Sequence, residues 1–152
     1  MEGEAPSARR LIDRERRVHR ILRAQFTDAL LDLGTSFAQL EVMELLDQAI
    51  QLHPGEIGRR LDITRQSATH LVRQLERASL VETWQLERGS VGVRLTRTGR
   101  ASVGRCLDAL RPTFSLVEAL EEERRRRLAM DLRAWENALR PRRRPWWVTA
   151  PM

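Results

Sequence analysis

The sequence predicts a mainly α-helical chain carrying one small β-hairpin, and three observations predict it. Stretches at both ends repeat apolar residues at helical spacing. Two short helical patterns lie in the middle, separated by a tight break. Directly after them, two segments alternate apolar and polar residues around a glycine turn, the pattern of half-buried strands.

Taken in order, residues 9–33 form a long helix with Leu11, Val18, Leu22, Phe26, Ala29 and Leu33 along one side. His53 to Leu61 is a short helix entered at Pro54, and Asp62-Ile63 breaks it. Thr64 to Glu76 opens on a residue whose hydroxyl can accept a backbone N–H at a helix start. Ala68, Leu71, Val72 and Leu75 then fall on one face, which is core, and Arg65, Gln66, Ser67, Thr69, His70 and Arg73 are left on the others. Val81 to Gln85 and Val91 to Thr96 are strands joined across Leu86-Glu87-Arg88-Gly89-Ser90. Trp84 and Leu86 are expected to supply apolar partners on the first strand, and Gly89 permits the positive φ of a tight hairpin. Leu107, Leu110, Phe114, Val117 and Leu120 make a later helical stripe, with a bend expected at Pro112. A last helix, 121–139, carries Leu128, Leu132, Trp135 and Leu139.

Two short helices followed by a hairpin are a helix-turn-helix with a β-wing, which sets one helix end and one loop tip against duplex DNA. The outward residues of the second helix suit that surface. Gln pairs with adenine, Arg with guanine, and Ser or Thr with base edges or phosphates. Arg88 at the hairpin tip suits a narrow minor groove, where A·T tracts concentrate negative potential. A solvated helix face and an ordinary exposed hairpin are the plainer readings of each part alone. Their succession favours DNA, and so does the charge. The chain carries a net +6, and residues 53–105 hold ten Arg against five acids, while 35–52 hold three acids and no Arg. The sequence contains no Lys, so its basicity rests on Arg alone.

Other classes are set aside on composition. No Gly-rich phosphate loop, paired cysteine or His-Glu-x-x-His arrangement occurs, and His19, His53 and His70 are scattered. No catalytic group, metal or cofactor is therefore expected. The single Cys106 allows no internal disulfide, and without a secretory signal or an apolar run long enough for a membrane span the expected compartment is the cytoplasm. Glu121-Glu122-Glu123 before Arg124-Arg125-Arg126-Arg127 reads as exposed i,i+4 pairs rather than a DNA-binding patch. The tail 141–152, entered through Arg140, joins arginines and prolines to Trp146-Trp147 and is expected to be a disordered end, with packing against a dimer or DNA contact as the other readings.

The string from Glu56 to Arg100, with its "LERASLVE" and "VRLTRTGR" segments, resembles the winged helix-turn-helix of the multiple antibiotic resistance regulator (MarR) family. The similarity reaches upstream to Gln39-Leu40-Glu41-Val42-Met43-Glu44-Leu45-Leu46 and, more loosely, to the long helices at both ends. Glu87-Arg88 stands where the family usually shows Asp-x-Arg, so Arg88 inherits the minor-groove role. Asp62 replaces the usual turn glycine and Ser79 the usual glycine before Leu80-Val81. The resemblance implies a DNA-binding domain over 35–100 and a helical dimerisation region from 9–33 and 101–140. It further implies a homodimeric repressor on a palindromic operator, released by a small aromatic or anionic ligand in a cleft that Arg16, Arg17, His19 and Met43 would line. Cys106 lies far from the N-terminal position of the family's peroxide-sensing thiol and is expected to be inert. A winged-helix architectural or protein-interaction module without operator specificity is the competing reading. It would need an apolar outer face on residues 65–73, which this sequence does not show.

Overall fold

The elements run α1 (Ala8–Leu31), α2 (Phe37–Asp47), α3 (Pro54–Arg60), α4 (Arg65–Arg77), β1 (Val81–Gln85), β2 (Val91–Leu95), α5 (Arg97–Glu118) and α6 (Glu122–Leu139). They come from a computed structural model that describes residues 6–86 and 89–139. The chain divides into two units, one ending at Thr113 and the other beginning at Phe114.

Local chemistry explains most boundaries. Helix α2 starts on a reciprocal capping box between Ser36 and Gln39. Helix α3 has Pro54 in its first turn, where the missing N–H costs nothing. Helix α4 starts on Thr64, whose hydroxyl accepts the Ser67 N–H at 3.0 Å. Both short helices then end in the same way. Ile63 N–H reaches back to the Gly58 carbonyl and Leu80 N–H to the Leu75 carbonyl, each at 2.9 Å, which is the Schellman closure. That closure demands a left-handed residue just before the returning N–H. Asp62 (φ 53°) and Ser79 (φ 57°) fill the two positions, so the departures from glycine noted in the sequence fall where the backbone favours glycine most. Ser79→Gly should therefore stabilise the protein by about 0.5–1 kcal/mol, the left-handed strain of an L-residue less glycine's greater unfolded freedom. Ser79→Val should destabilise it, and urea denaturation of the two variants measures both signs.

The core of the first unit gathers Leu40, Met43 and Leu46 from α2, Ile57 from α3, Ala68, Val72 and Leu75 from α4, and Val81, Val93 and Leu95 from the hairpin. Each such Leu, Ile or Met contributes roughly 1.5–3 kcal/mol on burial. Val103, Cys106 and Leu110 bring α5 onto the same core. Strands β1 and β2 pair antiparallel with Val81 opposite Leu95, Thr83 opposite Val93 and Trp84 opposite Gly92. Leu52 adds a two-bond bridge to Val93, at 2.9 and 3.0 Å, fastening the loop before α3 to the wing.

Helix α5 accommodates its proline, and the hairpin corrects one expectation. Helix α5 runs unbroken through Pro112, although that residue cannot donate to the carbonyl one turn back. Leu110 and Thr113 on either side of it are buried, and their packing carries the helix on. Trp84 does not join the core. It lies on the outer face of the wing with Glu82, while Val81 and Thr83 turn inward. In the second unit, α6 buries no residue and shows Leu128, Leu132 and Leu139 at 44–70% exposure. Its Arg126 pairs with Glu122 and its Arg124 with Glu121, the exposed pairing expected of that run.

Candidate nucleic-acid interface

Helix α4 presents its buried side, Ala68, Val72 and Leu75, to the core and its first turns to solvent. Gly58 is what lets α3 press against the start of that helix. A Cβ there would stand 2.9 Å from the Ile63 carbonyl oxygen and 3.4 Å from the Arg65 nitrogen. Six of the seven expected DNA-contacting residues, Arg65, Gln66, Ser67, Thr69, His70 and Arg73, line one open trough of about 960 Å³. Arg88 lies outside the described residues.

The six are not equivalent. Ser67 Oγ lies 2.8 Å from the capping hydroxyl of Thr64, and Thr69 donates its hydroxyl to the Arg65 carbonyl at 2.8 Å. His70 Nε2 lies 3.0 Å from the Gln74 amide nitrogen, which donates to it. Gln74 in turn accepts from the Gln39 amide at 3.2 Å, which ties α4 to α2. Arg65, Gln66 and Arg73 are exposed, and neither arginine enters an ion pair among the described residues. These three keep their donors for a partner.

A second trough, of about 490 Å³, runs between α3, α4 and the wing, and brings in Arg59, which sequence reasoning missed. Its signal was present: Arg59 ends an exposed helical turn beside Arg60, and only Arg60 is engaged, by Glu56 at 2.5 Å. The wing is stitched to this trough. Thr83 donates its hydroxyl to Glu76 on α4, and His53 Nδ1 lies 3.1 Å from the Val91 carbonyl, which it contacts as a donor. These contacts fasten the wing to α4 and to the residue that opens α3. Glu41 was also missed. It lines the α4 trough, and burial, aided by repulsion from Glu44, holds its carboxyl above the usual range. A raised acid opposes folding when charged, so this cost fades as pH falls through its elevated pKa.

Of the four residues expected to line a ligand cleft, His19 alone lines a groove of about 660 Å³ between α1 and α2. There it stands with Leu22, Arg23, Thr27 and Glu41 around the stacked rings of Phe26 and Phe37, whose centroids are 4.6 Å apart. Arg16 and Arg17 are exposed on α1 outside that lining. Met43 is fully buried in the core, since α2 is apolar around most of its circumference, and it is not part of this groove's lining. Cys106 is likewise fully buried, out of reach of solvent oxidants. Among the described residues no cluster suits a metal ion, and no helix is long and apolar enough to cross a membrane.

A capped recognition helix with uncommitted donors, fastened to a β-wing, defines a winged helix-turn-helix DNA-binding protein. Comparison with known proteins narrows the class. A family model described as "MarR family" matches residues 33–89. The fold matches Sco5413, a MarR family transcriptional regulator from Streptomyces coelicolor, with TM-score 0.77 and 25% identity over 86% of this chain and 94% of that one. It also matches AbsC, another MarR family regulator from that organism, with TM-score 0.77 and 18% identity over 92% and 99%. A Mycobacterium tuberculosis MarR family protein in complex with salicylic acid matches with TM-score 0.62 and 25% identity over 89% and 99%. Among curated proteins none matches by sequence. Residues 33–89 thus match the MarR family model, and the fold of the chain is that of MarR family transcription regulators.

Proposed function

We propose that the protein is a cytoplasmic homodimeric repressor that occupies a palindromic operator and leaves it when a small aromatic or anionic ligand binds. The observation that carries the DNA half is the set of uncommitted donors, Arg65, Gln66 and Arg73, on the exposed side of α4. Ser67, Thr69 and His70 complete the contact surface, and Arg88 enters the minor groove. Dimerisation is supported by apolar residues left exposed on the terminal helices. Leu11, Val18 and Ile21 on α1 and Val117 on α5 are each 45–50% exposed. Two-fold pairing would set the two recognition helices roughly 34 Å apart, one turn of DNA.

The ligand half is supported by the groove at His19 and Arg23, whose stacked Phe26 and Phe37 offer an aromatic wall beside basic groups. Arg16 and Arg17 extend that positive charge along α1. A relative of similar fold holds salicylic acid, an aromatic anion of the same chemistry.

Binding to operator variants with single base changes tests the reading face. Gln66 lies in the first turn of α4, so Gln66→Ala should lose roughly 1–3 kcal/mol of discrimination at one position in each half-site. Arg73 lies two turns on, where a phosphate is the neighbour. Arg73→Ala should weaken all sequences alike and flatten the salt slope by about 1 per protomer. The reverse pattern would invert the placement of α4 in the groove. Equal affinity for the chain's own upstream DNA and for random duplex would favour the architectural module instead.

A further inference from the structure

The outer face of the wing carries a side-chain arrangement that the DNA-reading surface does not use. Trp84 and Gly92 are direct cross-strand partners, and so are Glu82 and Arg94 one step away. The indole of Trp84 lies against the bare Cα of Gly92. A Cβ built there would meet two ring carbons at 2.6 Å and the ring nitrogen at 3.0 Å. Gly92 is consequently buried although it sits on an outward-facing position. The Arg94 guanidinium covers the same ring, 5.3 Å from its centroid, and its Nε donates to Glu82 at 2.5 Å. Four residues on two strands therefore form one locked row.

A two-stranded ribbon by itself is marginal in water. The inner face of this one is held by Thr83 on Glu76, by His53 on the Val91 carbonyl and by the bridge to Leu52. Those ties fasten the wing to the body. The outer face needs its own restraint, because a glycine in β2 offers no side chain to pack and weakens the strand. An aromatic ring laid across a strand glycine restores the lost packing, and cation–π contact holds the ring in place.

We propose that Trp84 is a positioning residue for DNA binding. Seated on Gly92 and covered by Arg94, it holds the hairpin in its bound shape before the duplex arrives, so that little order has to be gained on contact. The proposal rests on the wing's contact with DNA.

Anisotropy titrations of the full chain on its own upstream duplex test this, with amide exchange at Leu86, whose N–H bonds the Ser90 carbonyl at 2.7 Å, as a direct report on hairpin order. Trp84→Ala and Gly92→Ala, one removing the ring and the other displacing it, should each weaken binding about tenfold and speed exchange at Leu86 to a similar degree. Trp84→Phe should restore affinity to within about twofold of the parent, since a flat ring can still cover Gly92. In the Trp84→Ala background, Gly92→Ala should cost nothing further, because the clash it creates is with the missing ring. Base preference should be unchanged throughout.

Four results would overturn the proposal: an undiminished effect of Gly92→Ala without Trp84, no rescue by phenylalanine, parent-like binding by both alanine variants, or a loss of binding fully accounted for by a lower folded fraction in thermal melts. A parent chain that binds no duplex would sink the functional reading along with it. A parent that binds while the alanine variants match it would sink the positioning role alone.

Discussion

Raising monovalent salt from about 50 mM to about 200 mM should cut the affinity for operator DNA by roughly 10³-fold. The figure follows from counting cations with nothing else to hold. Arg59, Arg65 and Arg73 line the trough between α3, α4 and the wing, and none is in an ion pair among the described residues. Arg60 and Arg94 nearby are excluded from the count because Glu56 and Glu82 hold them. Three phosphate contacts per protomer make six for a dimer, and a slope of about −0.9 per contact then spans three decades over that fourfold change in salt. A single protomer on DNA would give half the slope and lose only about 40-fold. The same titration thus measures two things, the electrostatic footprint and the number of protomers that carry it. A slope near zero would show that these arginines do not neutralise phosphates, and the reading face would have to lie elsewhere.

The parts of this fold that were legible in the sequence are those set by short-range chemistry. Thr64 before an amphipathic run, Pro54 in a first turn and Gly89 in a hairpin each placed a boundary within a residue or two of where it lies. That six residues expected at the DNA line one trough on α4 was legible for the same reason, since Ala68, Val72 and Leu75 define the inner face. What was not legible depended on a partner distant in sequence. Strand β1 has an apolar residue on each face, Val81 on one and Trp84 on the other, so alternation alone could not say which one is core. Gly92 across the ladder decides it. Helix α2 carries Leu40, Val42, Met43, Leu45 and Leu46 with little polar interruption, and no pattern could show that Met43 points inward. At Pro112 the local pattern could not show that burial on either side would carry the helix onward. Ser79 is the instructive middle case. The sequence showed an oddity, and only the Schellman closure at Leu80 gives it a physical meaning.

Gly99→Ala should destabilise the protein by about 3 kcal/mol, while Gly104→Ala in the same helix should stabilise it by about 1 kcal/mol. The junction between β2 and α5 explains the contrast. Thr96 begins that helix by accepting the Gly99 N–H on its hydroxyl at 2.9 Å, and it donates the same hydroxyl to the Ser79 carbonyl at 2.9 Å. Its backbone N–H bonds the Leu80 carbonyl at 3.1 Å. The start of α5 is thereby drawn against the loop that ends α4, so closely that a Cβ on Gly99 would lie 2.0 Å from the Leu80 carbonyl oxygen and 2.9 Å from Leu95 Cδ2. The first of those atoms is backbone and cannot rotate away. Relief requires lifting α5, which would break the Thr96 bonds and loosen Val103 and Cys106 from the core. Gly104 is exposed one turn further on and would meet nothing within 4 Å, so alanine there gains only its better helix propensity. For a chain of this length the two variants should melt roughly 6–12 °C lower and 2–4 °C higher than the parent, compared at one protein concentration because any dimer couples melting to it. Equal melting temperatures for the two would mean that α5 is not seated on the α4–β1 turn. The wing and the recognition helix would then lack the common anchor that the structure gives them.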